Sequence, residues 1–113
     1  MHEQSIVESI LSLALKNAAK AGARRIIGIN LVVGDYTGVE QEAVDFYFGF
    51  LGKNTVAAGA KINYTRVAAQ LRCRDCDILF PMQKRDFQCP KCSGRRVEIA
   101  GGRDLFIESM EVE

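Results

Sequence analysis

Helical spacing dominates the first part of the chain. Over SIVESILSLALKNAAKAG, Ile6, Ile10, Leu13 and Ala14 form an apolar stripe, and Val7, Leu11, Leu15 and Ala18 widen it. Asn17 interrupts the stripe on the Leu13 side, and Gly22 supplies a stop. Ser5 followed by Glu8 has the form of a capping box, which would leave residues 1–4 as a short tail ahead of the first turn. The rhythm then changes to alternation in RRIIGINLVVG. Here Ile27, Ile29, Leu31 and Val33 fall on one face of a strand, and Ile26, Gly28, Asn30 and Val32 on the other.

Gly34 to Gly38 reads as a turn, and Thr37 with Glu40 as a second capping box. A second helix follows to about Leu51. Val44, Phe48 and Leu51 form its stripe, with Ala43, Tyr47 and Phe50 alongside, and Gly52 ends it. GAKINYTRVAAQL reads as a strand with Ala60, Ile62 and Tyr64 on one face. DLFIESMEV reads as the last strand, with Leu105, Ile107 and Ser109 on one face and Phe106 and Met110 on the other. The IAGGR stretch before it predicts a hinge or tight turn.

The predicted architecture is α+β, with two helices packed on a small three-stranded sheet and a zinc-ribbon-like module inserted before the last strand. Residues 1–70 and 101–113 would form the α/β layer, and residues 71–100 the metal module.

Composition narrows the function. The 113 residues carry 15 Lys and Arg against 14 Asp and Glu. That balance gives no overall electrostatic case for nucleic acid or an anionic membrane. No run of about 18 apolar residues exists for a membrane span. Glu3 and Glu8 replace the basic region that a signal peptide would need, so the expected location is the cytoplasm.

All four cysteines lie in CxxC pairs: Cys73 with Cys76, and Cys89 with Cys92. In a reducing compartment this spacing reads as metal ligation. Each CxxC turn can place two thiolates along one edge of a tetrahedron, and zinc takes such a soft four-sulfur set. With all four positions filled by protein, the zinc would be structural and coupled to folding, because Ile78, Leu79, Phe80, Phe87 and Val97 make a small core. A redox dithiol pair is the rival reading, and iron in the same cage is chemically open. Arg72, Arg74, Lys84, Arg85, Lys91, Arg95 and Arg96 make the segment locally basic, diluted by Asp75, Asp77 and Asp86. A solvated face is the plainer explanation, and a nucleic-acid-binding ribbon or a metal-stapled scaffold the alternative.

The only histidine is His2. A bulky second residue protects the initiator methionine, so the Met1 amine is expected to remain. That amine, the His2 amide nitrogen and the His2 imidazole can close adjacent chelate rings, and Glu3 can complete the set through its amide or side chain. A nitrogen-rich planar set suits nickel(II) or copper(II). No nucleophile–base pair and no GxxxxGK[ST] loop are present, so the chain is not read as an enzyme.

The MHE start, the short α/β layer and the CxxC…CPxC insert together resemble the HypA/HybF family of [NiFe]-hydrogenase nickel-incorporation proteins. GVEQEAVDFYFGF, NTVAAGAKINYTRV and the whole stretch from Leu71 to Glu113 are similar to that family. The resemblance implies a metallochaperone that delivers nickel as the hydrogenase active site is built, with urease served by some members. It implies nickel binding by Met1, His2 and Glu3 with Glu40 near the site, and zinc held by Cys73, Cys76, Cys89 and Cys92. It also implies a HypB-type GTPase and the hydrogenase large subunit as partners, while the sheet edge leaves room for a homodimer. The chain departs from the family pattern at Ala58, where a glutamate is frequent, and over Val67-Ala68-Ala69, where a proline is frequent. Neither departure touches a proposed ligand.

Overall fold

The computed structural model describes residues 3–82 and 87–113. Helix α1 (Glu3–Lys20) leads to strand β1 (Ile26–Gly34), one 3-10 turn (Asp35–Thr37), helix α2 (Gln41–Leu51) and strand β2 (Lys61–Val67). Three short strands follow: β3 (Gln70–Cys73), β4 (Leu79–Pro81) and β5 (Val97–Gly101). Strand β6 (Leu105–Val112) closes the chain.

Two three-stranded sheets result, ordered β2-β1-β6 and β4-β3-β5. β1 runs parallel to β2 and antiparallel to β6, whereas β3 is antiparallel to both its neighbours. A parallel pair cannot be joined by a hairpin, and the connection carrying α2 supplies the crossover. Val7, Ile10, Leu11, Ala14 and Ala18 of α1 and Val44 and Phe48 of α2 join Ile26, Ile29, Leu31 and Val33 of β1 in one core. The expected α+β layer of two helices on a three-stranded sheet is present, and the cysteine segment has its own small cluster around Leu71, Cys73, Phe80 and Cys89. On β1's other face, Asn63 donates to Asn30 at 3.0 Å and Asn30 donates to Ser109 at 2.8 Å, which fixes all three strands in register.

Several local expectations are corrected. α1 begins at Glu3, so Ser5 lies inside the helix, and Glu3 and Gln4 belong to its first turn and not to a tail. An acid in the first turn suits the positive end of the helix dipole. Thr37 does not cap α2: its hydroxyl donates to the Gly34 carbonyl at 2.7 Å and accepts from the Val39 N–H at 3.2 Å, closing the 3-10 turn. Glu40 occupies the N-cap position of α2, but its side chain makes no capping hydrogen bond.

Alternation fails at two places in β1's pairing with β6. Ile26 pairs with Val112 and Gly28 with Glu111, so Ile27 is an extra residue. Ile26 and Ile29 therefore both enter the core, and Ile27 is exposed. Asn30 pairs with Ser109 and Leu31 with Ile107, which makes Glu108 the extra residue on β6. This second shift brings Met110 onto the core side with Leu105 and Ile107. The long strand expected to reach Leu71 is broken at Ala68–Ala69 into β2 and β3.

The chain crosses between the two sheets twice, at Ala68–Ala69 and at Gly102. Gly102 has φ +77°, and a Cβ there would lie 2.5 Å from the Ala68 carbonyl oxygen. Its own carbonyl accepts from the Tyr36 N–H at 2.8 Å. A side chain is excluded both by backbone conformation and by space. Gly102→Ala should therefore lower stability by about 2–4 kcal/mol in urea unfolding. Gly59→Ala, at φ +79° with open space around it, should lose only about 1 kcal/mol. Equal losses would show that the close approach at the crossing carries no energy.

Candidate metal centre

The four cysteines sit on two five-residue loops of the same construction. In the first, the Cys73 N–H donates to the Ile78 carbonyl at 3.0 Å and the Asp77 N–H to the Cys73 carbonyl at 2.7 Å. In the second, the Cys89 N–H donates to Gly94 at 2.8 Å and the Ser93 N–H to Cys89 at 2.9 Å. Asp77 and Ser93, at equivalent positions, both have φ +60°. Each loop thus folds back tightly enough to aim both of its sulfurs the same way. Neither pair starts a helix, which removes the geometry of a thioredoxin-like redox site.

All four Sγ atoms lie within 4.8 Å of one another, and Cys73 Sγ is 3.7 Å from Cys92 Sγ. A zinc–sulfur bond of about 2.3 Å implies a tetrahedral edge of about 3.8 Å. The cysteines are free thiols, Cys73 and Cys89 are buried, and Cys92 faces solvent. Backbone N–H groups point at the sulfurs: Cys76 to Cys73, Lys91 to Cys89 and Gly94 to Cys92, each at 3.4 Å. A Cβ on Gly94 would come 3.2 Å from Cys92 Sγ, so the loop leaves room for little beyond its own backbone. The donor set, its spacing and its hydrogen bonds fit a structural zinc ion. A metal here would be fully enclosed by thiolates, with no position for a substrate.

Without metal the thiols compete for protons. Cys76 is pushed up to about 12, first because a hydrogen bond shared with Cys92 holds its proton and then by burial. Burial also acts upward on Cys89, but the N–H groups of Cys92 and Lys91 outweigh it and bring this thiol down to about 7. Metal entry must displace protons from such a cluster.

Charge around the centre is largely cancelled within the segment. Arg72 pairs with Asp77 at 3.0 Å, Arg74 with Glu98 at 3.0 Å and Arg96 with Asp75 at 3.2 Å. Lys84, Arg85 and Asp86 lie outside the described residues. The nucleic-acid reading loses three of its cations to neighbouring carboxylates.

The other sequence-derived candidates stand elsewhere. Met1 and His2 lie outside the described residues. Glu3 is partly buried in the first turn of α1. Glu40 is exposed and lines a cleft of about 560 Å³ at the start of α2, together with Asp35, Gln41, Glu42 and Arg66. Arg66 reaches from β2 to Asp35 at 2.9 Å and to the Val39 carbonyl at 3.3 Å, and so anchors the wall of that cleft. Beside it, the Tyr64 hydroxyl donates to Asp45 at 2.7 Å. Burial and then this carboxylate hold the phenol well above its ordinary range, so the link between β2 and α2 persists at any neutral pH. Neither contact was foreseen; alternation along β2 says which face Tyr64 takes but not what it meets.

A small α+β layer joined to a four-thiol centre defines a metal-binding protein with a closed site. A family model described as "Hydrogenase/urease nickel incorporation, metallochaperone" matches residues 1–112, and the chain belongs to this HypA family. A hydrogenase maturation factor HypA of Dehalococcoides mccartyi (strain 195) is 42% identical over 113 residues, covering 100% of this chain and 95% of the relative. The factor of the same name in Caldanaerobacter subterraneus subsp. tengcongensis is 38% identical, with both chains fully covered. The solution structure of the Ni metallochaperone HypA from Helicobacter pylori shares the fold, with a TM-score of 0.68 at 24% identity over 99% of this chain and 97% of that one. Family members are metallochaperones and not catalysts.

Protons and metal compete for the same sulfurs, so zinc affinity should rise with pH between about 6 and 8, where Cys76 always yields a proton and Cys89 yields one only below about 7. Titration calorimetry in buffers of different ionisation heat should record proton release that grows as pH falls. Chelation of the metal should abolish amide protection over β3, β4 and β5 while leaving α1, α2 and β1 protected. Uniform loss over the whole chain would contradict separate cores.

Proposed function

We propose that this protein is a nickel metallochaperone that takes up Ni(II) at its N-terminus and delivers it during [NiFe]-hydrogenase maturation. The Met1 amine, the His2 amide and imidazole nitrogens and the Glu3 amide form the nickel-binding set, and Glu40 stands by as a nearby carboxylate. Cys73, Cys76, Cys89 and Cys92 hold zinc and keep it. The working unit for the layer is residues 1–70 with 101–113, and for the zinc module residues 71–100.

The observation that carries this reading is the family match beginning at residue 1, in a chain whose sole histidine is His2. The start of α1 at Glu3 adds a physical reason. The first N–H groups of a helix have no carbonyl partner within it, so the Glu3 amide is not committed to the helix. A planar four-nitrogen nickel site uses ionised amide nitrogens, and the positive end of a helix favours that negative charge. The neutral imidazole is required, so nickel should be lost as pH falls through the histidine range.

Delivery needs partners. A HypB-type GTPase supplies the nucleotide chemistry for which this chain has no P-loop, and the hydrogenase large subunit receives the metal. The relatives named as hydrogenase maturation factors support that assignment over urease. No described helix is long and apolar enough to cross a membrane, and free thiols suit the reducing cytoplasm in which we place it.

The deciding experiment is metal analysis after nickel loading of three proteins: wild type, His2→Ala, and a chain with one residue added before Met1. All three should retain one zinc. Nickel should be stoichiometric only in the wild type, with affinity in the variants reduced by about tenfold or more. Stoichiometric nickel in the extended chain would defeat the assignment to the α-amine.

A further inference from the structure

The sheet ends at β6, and among the described residues no strand pairs with its outer edge. Beside that edge, α1 and β6 bound a groove of about 340 Å³. Its lining is mostly apolar: Ile6, Ile10 and Leu13 from the helix, Leu105 and Ile107 from the strand. Leu13 is 48% exposed and Phe106, at the rim, 49%. Side chains of this size are left in water although the core is only one turn away. An open strand edge offers a row of backbone donors and acceptors, and a groove beside it offers seats for every second side chain of an added strand.

Charge selects the occupant. Within Leu105–Val112 the ionisable residues are Glu108 and Glu111, both exposed, and Glu8 is exposed on α1. Glu113 beyond them is already paired with Arg25 at 3.7 Å. A second copy of this chain adding its own β6 antiparallel, in the register that sets Glu108 opposite Glu111, would bring like charges together, which is unfavourable across strands. A basic strand meets the opposite sign at Glu108 and Glu111, the two charged residues of β6. We propose that the α1–β6 groove and the free β6 edge form a docking site for an extended segment of a partner protein, with apolar residues at alternate positions and Lys or Arg between them. The segment adds to the sheet as a fourth strand. Its apolar side chains enter the groove, and its cations lie against Glu108 and Glu111. This surface does not depend on the nickel or zinc assignments.

The probe is a synthetic peptide of about ten residues in which valine alternates with lysine, titrated into the zinc-loaded full chain. Amide hydrogen exchange should slow across Leu105–Val112 and stay unchanged in β2, the other edge. Leu13→Gln should weaken binding, read by fluorescence anisotropy of the labelled peptide, by about tenfold. The double variant Glu108→Lys, Glu111→Lys should lose the lysine peptide by a similar factor and take up one with glutamate in place of lysine. That exchange of preference identifies the site even if Leu13→Gln is less stable. Unchanged exchange in β6 at saturating peptide would overturn the proposal. So would protection at β2 instead, or protection of β6 that grows with protein concentration alone, because a second copy then fills the edge.

Discussion

The sheet of this protein is completed by its last strand, and that strand arrives only after the chain has passed through the cysteine segment. β6 must lie against β1, yet residues 68–104 separate it from β2. Left unstructured, an insert of that length would add about 3 kcal/mol of closure entropy to the pairing. The four-sulfur centre removes most of this burden. It orders β3 and β5 so that Gln70 pairs with Gly101, and the two ends of the insert leave side by side. Its own apolar cluster is small, with Leu71 and Phe80 as the large buried side chains. Binding of a structural zinc is on the order of 10–16 kcal/mol and appears directly as folding energy. A metal held there would favour the pairing of β6 with β1 without touching either strand. At the return crossing, Gly102 packs directly against the backbone of Ala68 at the outgoing one.

What could be read from the sequence follows the range of the interaction involved. Helices α1 and α2 were legible because helical periodicity is set within a few residues. The CxxC pairs were legible for the same reason: one tight turn decides whether two thiolates share a metal. The bulges at Ile27 and Glu108 were not legible, because an extra residue exists only relative to a partner strand far away in sequence. They reverse the faces assigned to Ile26 and Met110 without altering the strands themselves. β3 and β4 are too short for any period to register, so the second sheet had no signal apart from the cysteines around it. Thr37 illustrates a different failure. Ser/Thr three residues before Glu suits a capping box and an ordinary turn equally well, and the Gly34 carbonyl decided between them.

The basic composition of the insert has a similar lesson. Counted along the sequence, its arginines suggest an anion-binding surface. In space, Arg72, Arg74 and Arg96 lie against Asp77, Glu98 and Asp75. These pairs are exposed and each contributes little stability. Their consequence is neutralisation: they remove free positive charge from the surface and tie Arg72 and Arg96 to the loops that carry the cysteines. The pair at Arg74 joins the first knuckle to β5. Salt bridges of this kind therefore favour a structural role for the segment over recognition of a polyanion.

The two proposed metal sites differ in the property that matters for a carrier. At the cysteine centre the ligands come from two loops already locked by backbone hydrogen bonds, so release of zinc requires the fold to open. At the N-terminus the proposed ligands come from three consecutive residues, of which Glu3 begins α1. Dissociation there needs no rearrangement of the core, since the described buried cluster begins only at Val7. Protons act on the two sites with the same sign but different leverage. A proton on the His2 imidazole or on an ionised amide removes a nickel ligand outright, whereas a proton on one thiol leaves three others holding zinc. On the proposed assignment the protein would surrender nickel to an acceptor over a range in which its zinc, and hence the small sheet of β3, β4 and β5, stays in place. That separation follows from where the ligands sit relative to the core, and it would vanish if the nickel set were buried in the same cage as the cysteines.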